Sequence, residues 1–188
     1  MKDKEKIVLG SGDMYATIFV PTNNGTLPEN DTIETQENKL GEIQGGAELE
    51  YTSEFYTAKS DNGKATKTIM TNEDVKLKSG IMTWFGKTLE KLCSTARISD
   101  DTAKGKRTVK IGGIDNQDGK KYLIRFVHKD KNDGDIRLTI VGTNQSGFKM
   151  TFAKDKETVI DAEFVAEPMD EEGTLIVYDE DIPVEVQE

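Results

Sequence analysis

One cysteine (Cys93), one histidine (His128) and one tryptophan (Trp84) are all that this chain of 188 residues contains of those three types. A lone cysteine excludes an internal disulfide framework and suits a reducing compartment. A single histidine and a single cysteine cannot assemble a zinc site of the common kind from this chain alone. No apolar run approaches the roughly 20 residues that span a bilayer as a helix. The opening Met-Lys-Asp-Lys-Glu-Lys leads into only Ile7, Val8 and Leu9, too short for the apolar region of a secretory signal. The expectation is a protein made in a cytoplasm, with no membrane partner.

What remains is lean but globular. Hydrophobic residues make up 35%, charged residues 32%, and the mean hydropathy is −0.60. This length suits one domain, 1–188, and is tight for two. The formal charge of −10 is uneven. Residues 155–188 hold 13 acids against one lysine, a net of −12, so 1–154 carries +2. Within that, 102–131 holds nine Lys or Arg against three Asp, a net of +6. A basic middle and an acidic end can pair within one chain or match one copy to the next.

Turn signals recur at short intervals: Asn24-Gly25, Asn62-Gly63, Asp118-Gly119 and Asp133-Gly134. Between them the pattern alternates, as half-buried strands do. Tyr122, Ile124 and Phe126 share one side of a strand, with Lys121, Arg125 and Lys129 facing the other way. Ile136, Leu138 and Ile140 form a second set, Phe148, Met150 and Phe152 a third, and Ile160, Ala162, Phe164 and Ala166 a fourth. A last strand is expected over Thr174–Tyr178. Ile81, Met82, Phe85, Leu89, Leu92 and Cys93 instead recur at helical spacing, predicting one helix around 81–94 with Ser79 as its cap. Gly86 weakens that helix by roughly 1 kcal/mol relative to Ala. The expected fold is mainly β: two packed antiparallel sheets, sandwich- or barrel-like, with one flanking helix and long loops or arms.

Three segments read as arms. Residues 1–13 precede the first strand, and 21–42 is polar, carries Pro21 and Pro28 and has little periodicity. Residues 48–78 read as a long hairpin around Asn62-Gly63, polar at its tip, with strands longer than one core needs.

The catalytic motifs fail one by one. Gly10-Ser11-Gly12 starts a dinucleotide fingerprint, but the third glycine is replaced by Tyr15 and no βαβ unit follows. Asp130 to Asp135 resembles a calcium loop, yet Asp135 stands where glycine belongs and Val141 where the closing glutamate belongs, so a hairpin turn explains it. His128 continues a strand face with no Ser or Cys motif around it, and Cys93 lies on the helical stripe as a small hydrophobe. The basic cluster Lys104, Lys106, Arg107 and Lys110 lacks the interleaved aromatics of a base-stacking surface. No catalytic, cofactor-binding or metal-binding residue is assigned, and no enzyme activity is expected.

The order of segments resembles the tail tube proteins (major tail proteins) of long-tailed phages and phage-like particles. Leu9-Gly10-Ser11-Gly12-Asp13-Met14-Tyr15 is similar to the family's opening before its first strand. The run from Gly41 through Gly45-Gly46 to Tyr51 resembles the glycine-punctuated start of its long second strand. Val141-Gly142-Thr143-Asn144, then Gly147 to Phe152, Val159 to Pro168 and Gly173-Thr174-Leu175 resemble its ending. The resemblance implies six subunits closing a ring, rings stacking into a hollow tube, and DNA passing down the lumen without specific binding. It implies tape-measure, tail-terminator and tail-tip proteins as further partners, assembly in a bacterial host cytoplasm and a final place in the virion tail. Loops and arms mediate stacking in that family, a role that falls here on 1–13, 21–42 and the 52–68 hairpin tip. The face carrying Glu48, Glu50 and Thr52, opposite Ala47, Leu49 and Tyr51, is the expected lining.

Two other readings stand beside it. A ligand-binding β-sandwich, recognising carbohydrate or a receptor, would show a surface cluster of aromatics. A β-sandwich hydrolase would need a carboxylate pair, which nothing in the sequence singles out.

Overall fold

The most buried strand is Tyr122–His128, the seventh in chain order and interior to its sheet, and every one of its seven residues is buried. Tyr122 and Ile124 join Met14, Ala16, Ile140 and Phe164 in a cluster on one face, while Leu123 and Val127 join Tyr15, Ile33, Val141 and Met169 on the other. A strand buried on both faces must be apolar in both registers, which explains its near-continuous hydrophobic run. A computed structural model describes residues 8, 10–21 and 25–182 of the chain.

Among the described residues ten strands are found: β1 (Asp13–Ile18), β2 (Lys39–Gly41), β3 (Ile43–Lys59), β4 (Thr66–Ile81), β5 (Arg97–Asp101), β6 (Lys106–Lys110), β7 (Tyr122–His128), β8 (Ile136–Asn144), β9 (Ile160–Ala166) and β10 (Val177–Glu180). They are joined by two short α-helices, α1 (Asn30–Ile33) and α2 (Gly86–Leu92), and a 3-10 turn at Ile114–Asn116. Eight strands form one antiparallel sheet in the order β2-β1-β7-β8-β9-β4-β3. β10 lies along β8 at Ile136–Thr139, in the same file as β9, which pairs Gly142–Asn144. β5 and β6 make a separate small sheet. The expected mainly-β, antiparallel fold with one main helix is what forms, at 47% strand and 8% helix, and the large sheet does not close into a barrel. None of the helices among the described residues is long and apolar enough to cross a membrane.

Leu89 and Leu92 of α2, with Val109 of β6, cover the first face of the sheet. Ile33 of α1 and Met169 cover the second. Gly142 allows β9 to lie close on β8, because a Cβ there would run into the Val165 carbonyl.

Several boundaries differ from the sequence reading. The helix is shorter than 81–94, because Ile81 stays in β4 opposite Ile43 and Ile160, and Cys93 stands just beyond the helix end. Ser79 is no cap; it lies in β4, where its hydroxyl donates to the Gly46 carbonyl at 2.9 Å. Gly86 opens the helix rather than interrupting it, where an added Cβ would meet Arg107 Cδ at 2.7 Å. Phe148, Met150 and Phe152 form no strand; Phe148 and Met150 turn inward onto the first cluster from a loop. The last strand is shifted to Val177–Glu180.

The 21–42 segment is not a free loop throughout. Its second half folds into α1 and β2, and Ile33 and Leu40 are fully buried. Of the 1–13 arm, 1–7 and 9 lie outside the described residues, as does Asn24 of the first turn signal.

Arg125, expected on an outward face, is only 2% exposed. Its guanidinium donates to Thr139 Oγ1 at 2.9 Å and to Asn30 Oδ1 at 2.6 Å, and Glu34 stands 3.6 Å away. Arg137 donates to the same Glu34 at 2.7 Å and meets Asp135 and Asp181 at 3.2 and 3.3 Å. Burial pulls the Arg125 guanidinium below its ordinary value, opposed by Glu34. This cluster fastens α1 and the chain beyond β10 to the second face.

Candidate self-assembly surface

β3 and β4 run side by side, paired from Ile43↔Ile81 to Lys59↔Thr66 with the register shifting between Gln44 and Ala47 and between Glu54 and Phe55. Their lower half belongs to the body: Val75 and Leu77 are buried, with Ala47 and Leu49 packed on the same cluster. The alternating residues Glu48 and Glu50 take the other face, where Lys78 reaches both at 3.3 and 2.6 Å. Donating to Glu50 and then to Glu48 raises the Lys78 pKa, and the same contact lowers that of Glu50. The expected separation of Glu48, Glu50 and Thr52 from Ala47, Leu49 and Tyr51 is present.

Above Val75 the hairpin leaves the body. Every residue of 51–59 and 66–74 is exposed, so at about 3.3 Å per residue the free ribbon is roughly 27 Å long. Its end is preorganised. Gly63 takes φ 68, the Asn62 side chain accepts from Ser60 Oγ at 2.7 Å and from the Lys64 amide at 3.0 Å, and the Ala65 amide donates to Ser60 Oγ at 3.0 Å. Thr57 and Thr68 hydroxyls meet across the strands at 2.9 Å.

Midway along, the ribbon is apolar on both sides. Phe55 pairs with Met70 and Tyr56 with Ile69, just beyond an irregularity between Glu54 and Phe55. Their exposures are 61%, 50%, 60% and 48%. Nearer the body the Tyr51 hydroxyl donates to Glu73 at 3.0 Å, which raises its pKa. β3 ends the sheet, and β9 covers β4 only from Lys76 to Ile81. Both edges of the ribbon are therefore open among the described residues, a template for further pairing.

The remaining candidates resolve differently. His128 is buried, its Nδ1 2.8 Å from the Ser11 carbonyl, while Nε2 finds no partner among the described residues. Cys93 is half-buried beside the Thr95 hydroxyl at 3.5 Å. The Asp130 carboxylate accepts from the Asn132 and Asp133 amides at 2.8 and 3.1 Å, so that segment is a turn held by its own side chain. Among the described residues no group of three or more His, Cys, Asp or Glu could hold a metal ion.

The basic cluster sits on the β5–β6 hairpin and is partly neutralised there. Arg107 grips Asp100 through two 2.7 Å bonds, lowering that carboxyl, and Lys104 meets Asp101 at 3.2 Å. The basic middle and acidic end of the chain do touch, where Lys121 pairs with Glu167 at 2.5 Å. Trp84 and Phe152 stack edge to face at 6.5 Å, with Phe152 77% exposed. Sequence periodicity missed this pair because it assigned Trp84 to the helix and Phe152 to a strand.

No protein-family model matches the chain, and comparison with curated proteins finds no match.

Proposed function

We propose that this protein is a structural subunit that assembles with copies of itself, in the manner of a phage tail tube protein. One observation carries the reading. The β3–β4 ribbon projects roughly 27 Å from the body with four large apolar side chains about half exposed or more. A monomer gains nothing from that. Exposed apolar side chains on both faces of an open-edged ribbon promote association, and natural proteins ordinarily blunt such edges. It persists where a neighbour covers it. In the tube reading, copies close into rings, partners along and at the ends of the tube include tape-measure, terminator and tip proteins, and the lumen conducts DNA. The proposal assigns no catalysis and no cofactor to the chain.

Negative-stain electron microscopy of concentrated protein, together with sedimentation velocity, tests this. Rings or hollow filaments of uniform width are expected. A compact monomer at every concentration, including when preformed filament ends are added, sinks the reading. Phe152, exposed at the edge of the half-buried Trp84 ring, supports a second one, a carbohydrate- or receptor-binding module, since an exposed aromatic ring offers a stacking surface. That reading gains if Phe152→Ala removes binding to a glycan array without altering assembly.

A further inference from the structure

At the end of β4 away from the ribbon tip lies a groove of about 750 Å³. Ala47, Phe148 and Ala162 contribute its apolar lining, and Gly45 and Gly46 flank it in a two-residue bulge that β4 does not match. Both glycines have positive φ, 81° and 78°, and nothing stands within 4 Å of where their Cβ atoms would be. The bulge therefore serves backbone shape and open space rather than close packing.

The groove is mildly acidic at its rim. Its charged lining side chains are Glu48, Asp161 and Glu163 against Lys78 and Lys149, a net of −1, and Glu157 adds a further carboxylate beside it by accepting from Gln44 at 2.6 Å. The tip of the ribbon is the opposite. Lys59, Lys64 and Lys67 stand against Asp61, a net of +2, around a narrow turn of small residues. Tip and groove lie on one chain, yet the strand between them is about 14 residues long, roughly 45 Å at the usual rise. An extended ribbon cannot fold back on itself to close that gap.

We infer that the ribbon tip of one copy seats in the groove of the next copy, lysines against the acidic rim. This rests on the self-assembly reading and names the surface that receives the arm. Because donor and acceptor are unlike surfaces at opposite ends of one strand, the contact is head-to-tail. It repeats without limit unless a ring closes it, which is the geometry that builds filaments. Charge complementarity then fixes partner and register.

The test uses the full chain with Cys93→Ser, carrying Asn62→Cys at the tip and Ser146→Cys in the groove. Mild oxidation of assembled protein should give a disulfide-linked ladder of dimers, trimers and longer species. Its yield should exceed by at least tenfold that of a control pairing Asn62→Cys with Asp115→Cys. Assembly of the Cys93→Ser parent without a ladder above control overturns the contact while leaving self-assembly standing. A parent and a wild type that never assemble overturn both. A charge swap gives an independent readout. Lys59→Glu/Lys64→Glu/Lys67→Glu and Glu157→Lys/Asp161→Lys, each shown folded by thermal melting, should fail to assemble alone and assemble when mixed. Wild-type assembly by the tip-reversed variant alone overturns the proposal.

Discussion

β7 and the free half of the β3–β4 hairpin are both alternating antiparallel strands, yet one is buried at every residue and the other at none. In β7 each side chain has a neighbour, and the charged exception, Arg125, is held by Thr139, Asn30 and Glu34. In the ribbon the pairs Phe55–Met70 and Tyr56–Ile69 touch mainly each other and solvent. A two-stranded hairpin alone is marginal in water. The ribbon borrows its order from the part of β3 and β4 anchored in the sheet. The comparison teaches that apolar residues are spent on folding in one region and left at the surface in the other, where the proposed association would cover them.

The widest gap between the regions should appear in paired Phe→Ala variants. Phe164 is fully buried between β4 and β8, and Phe164→Ala is expected to cost about 3–5 kcal/mol in urea unfolding. Phe55→Ala, the same change on the ribbon, should alter monomer stability by about 0.5 kcal/mol or less while lowering filament yield. Equal losses of stability would erase the distinction. Arg125→Ala leaves Glu34 without one of its two guanidinium neighbours in a nearly closed site, at an expected cost of about 3 kcal/mol. Hydrogen exchange at 30–34 should quicken at the same time; unchanged exchange would show that the cluster does not hold α1. Gly142→Ala forces β9 away from β8 and should cost about 1–3 kcal/mol by the same unfolding assay.

A smaller effect comes from Lys91, whose ammonium lies near the Glu37 and Asn38 carbonyls. Burial pulls its pKa down to about 8 from 10.5. Between those values the unfolded chain binds the extra proton and the folded one does not, so stability rises as pH goes from 8 toward 10.5. Below 8 the penalty for burying the charge is present in full. Melting temperatures measured from pH 7 to 9.5 should climb in wild type relative to Lys91→Met. Parallel curves would show that the ammonium is better solvated than its position suggests. The smallest expected change is in the monomer lacking 55–70, with a two-residue turn in their place. Its far-ultraviolet spectrum and melting temperature should match wild type closely, and a large drop would make the ribbon part of the folding unit.

Much of the sheet was legible because alternation and turn chemistry are local. The period of two marks Tyr122–Phe126 and Ile136–Ile140 without knowledge of what they pack on, and Asn62-Gly63 marks a tight turn by its φ requirement. The long hairpin was legible as well, though not the apolar band below its polar tip. What failed did so where burial arrives from distant sequence. Ile81 fits a helical stripe and a strand equally well, and its pairing with Ile43 and Ile160 decided for the strand. Phe148 and Met150 alternate like a strand but find their apolar contacts from a loop. Ile33 and Leu40 sit in a polar stretch with no periodic signal, and only the sheet's second face and β1 explain them. The groove at Gly45-Gly46 was invisible because it is made by four segments meeting.

The sequence by itself therefore determined the mainly-β class, the position of the hairpin, the scarcity of catalytic side-chain types and the uneven charge. These follow from composition and from short-range backbone preferences. Tertiary structure alone decided that β7 is covered on both faces, that Arg125 is buried, and that acidic groove and basic tip stand at opposite ends of β4. Those outcomes depend on which segments share a water-excluded surface. The free energy of burial belongs to the neighbours a residue meets, not to its place in the chain.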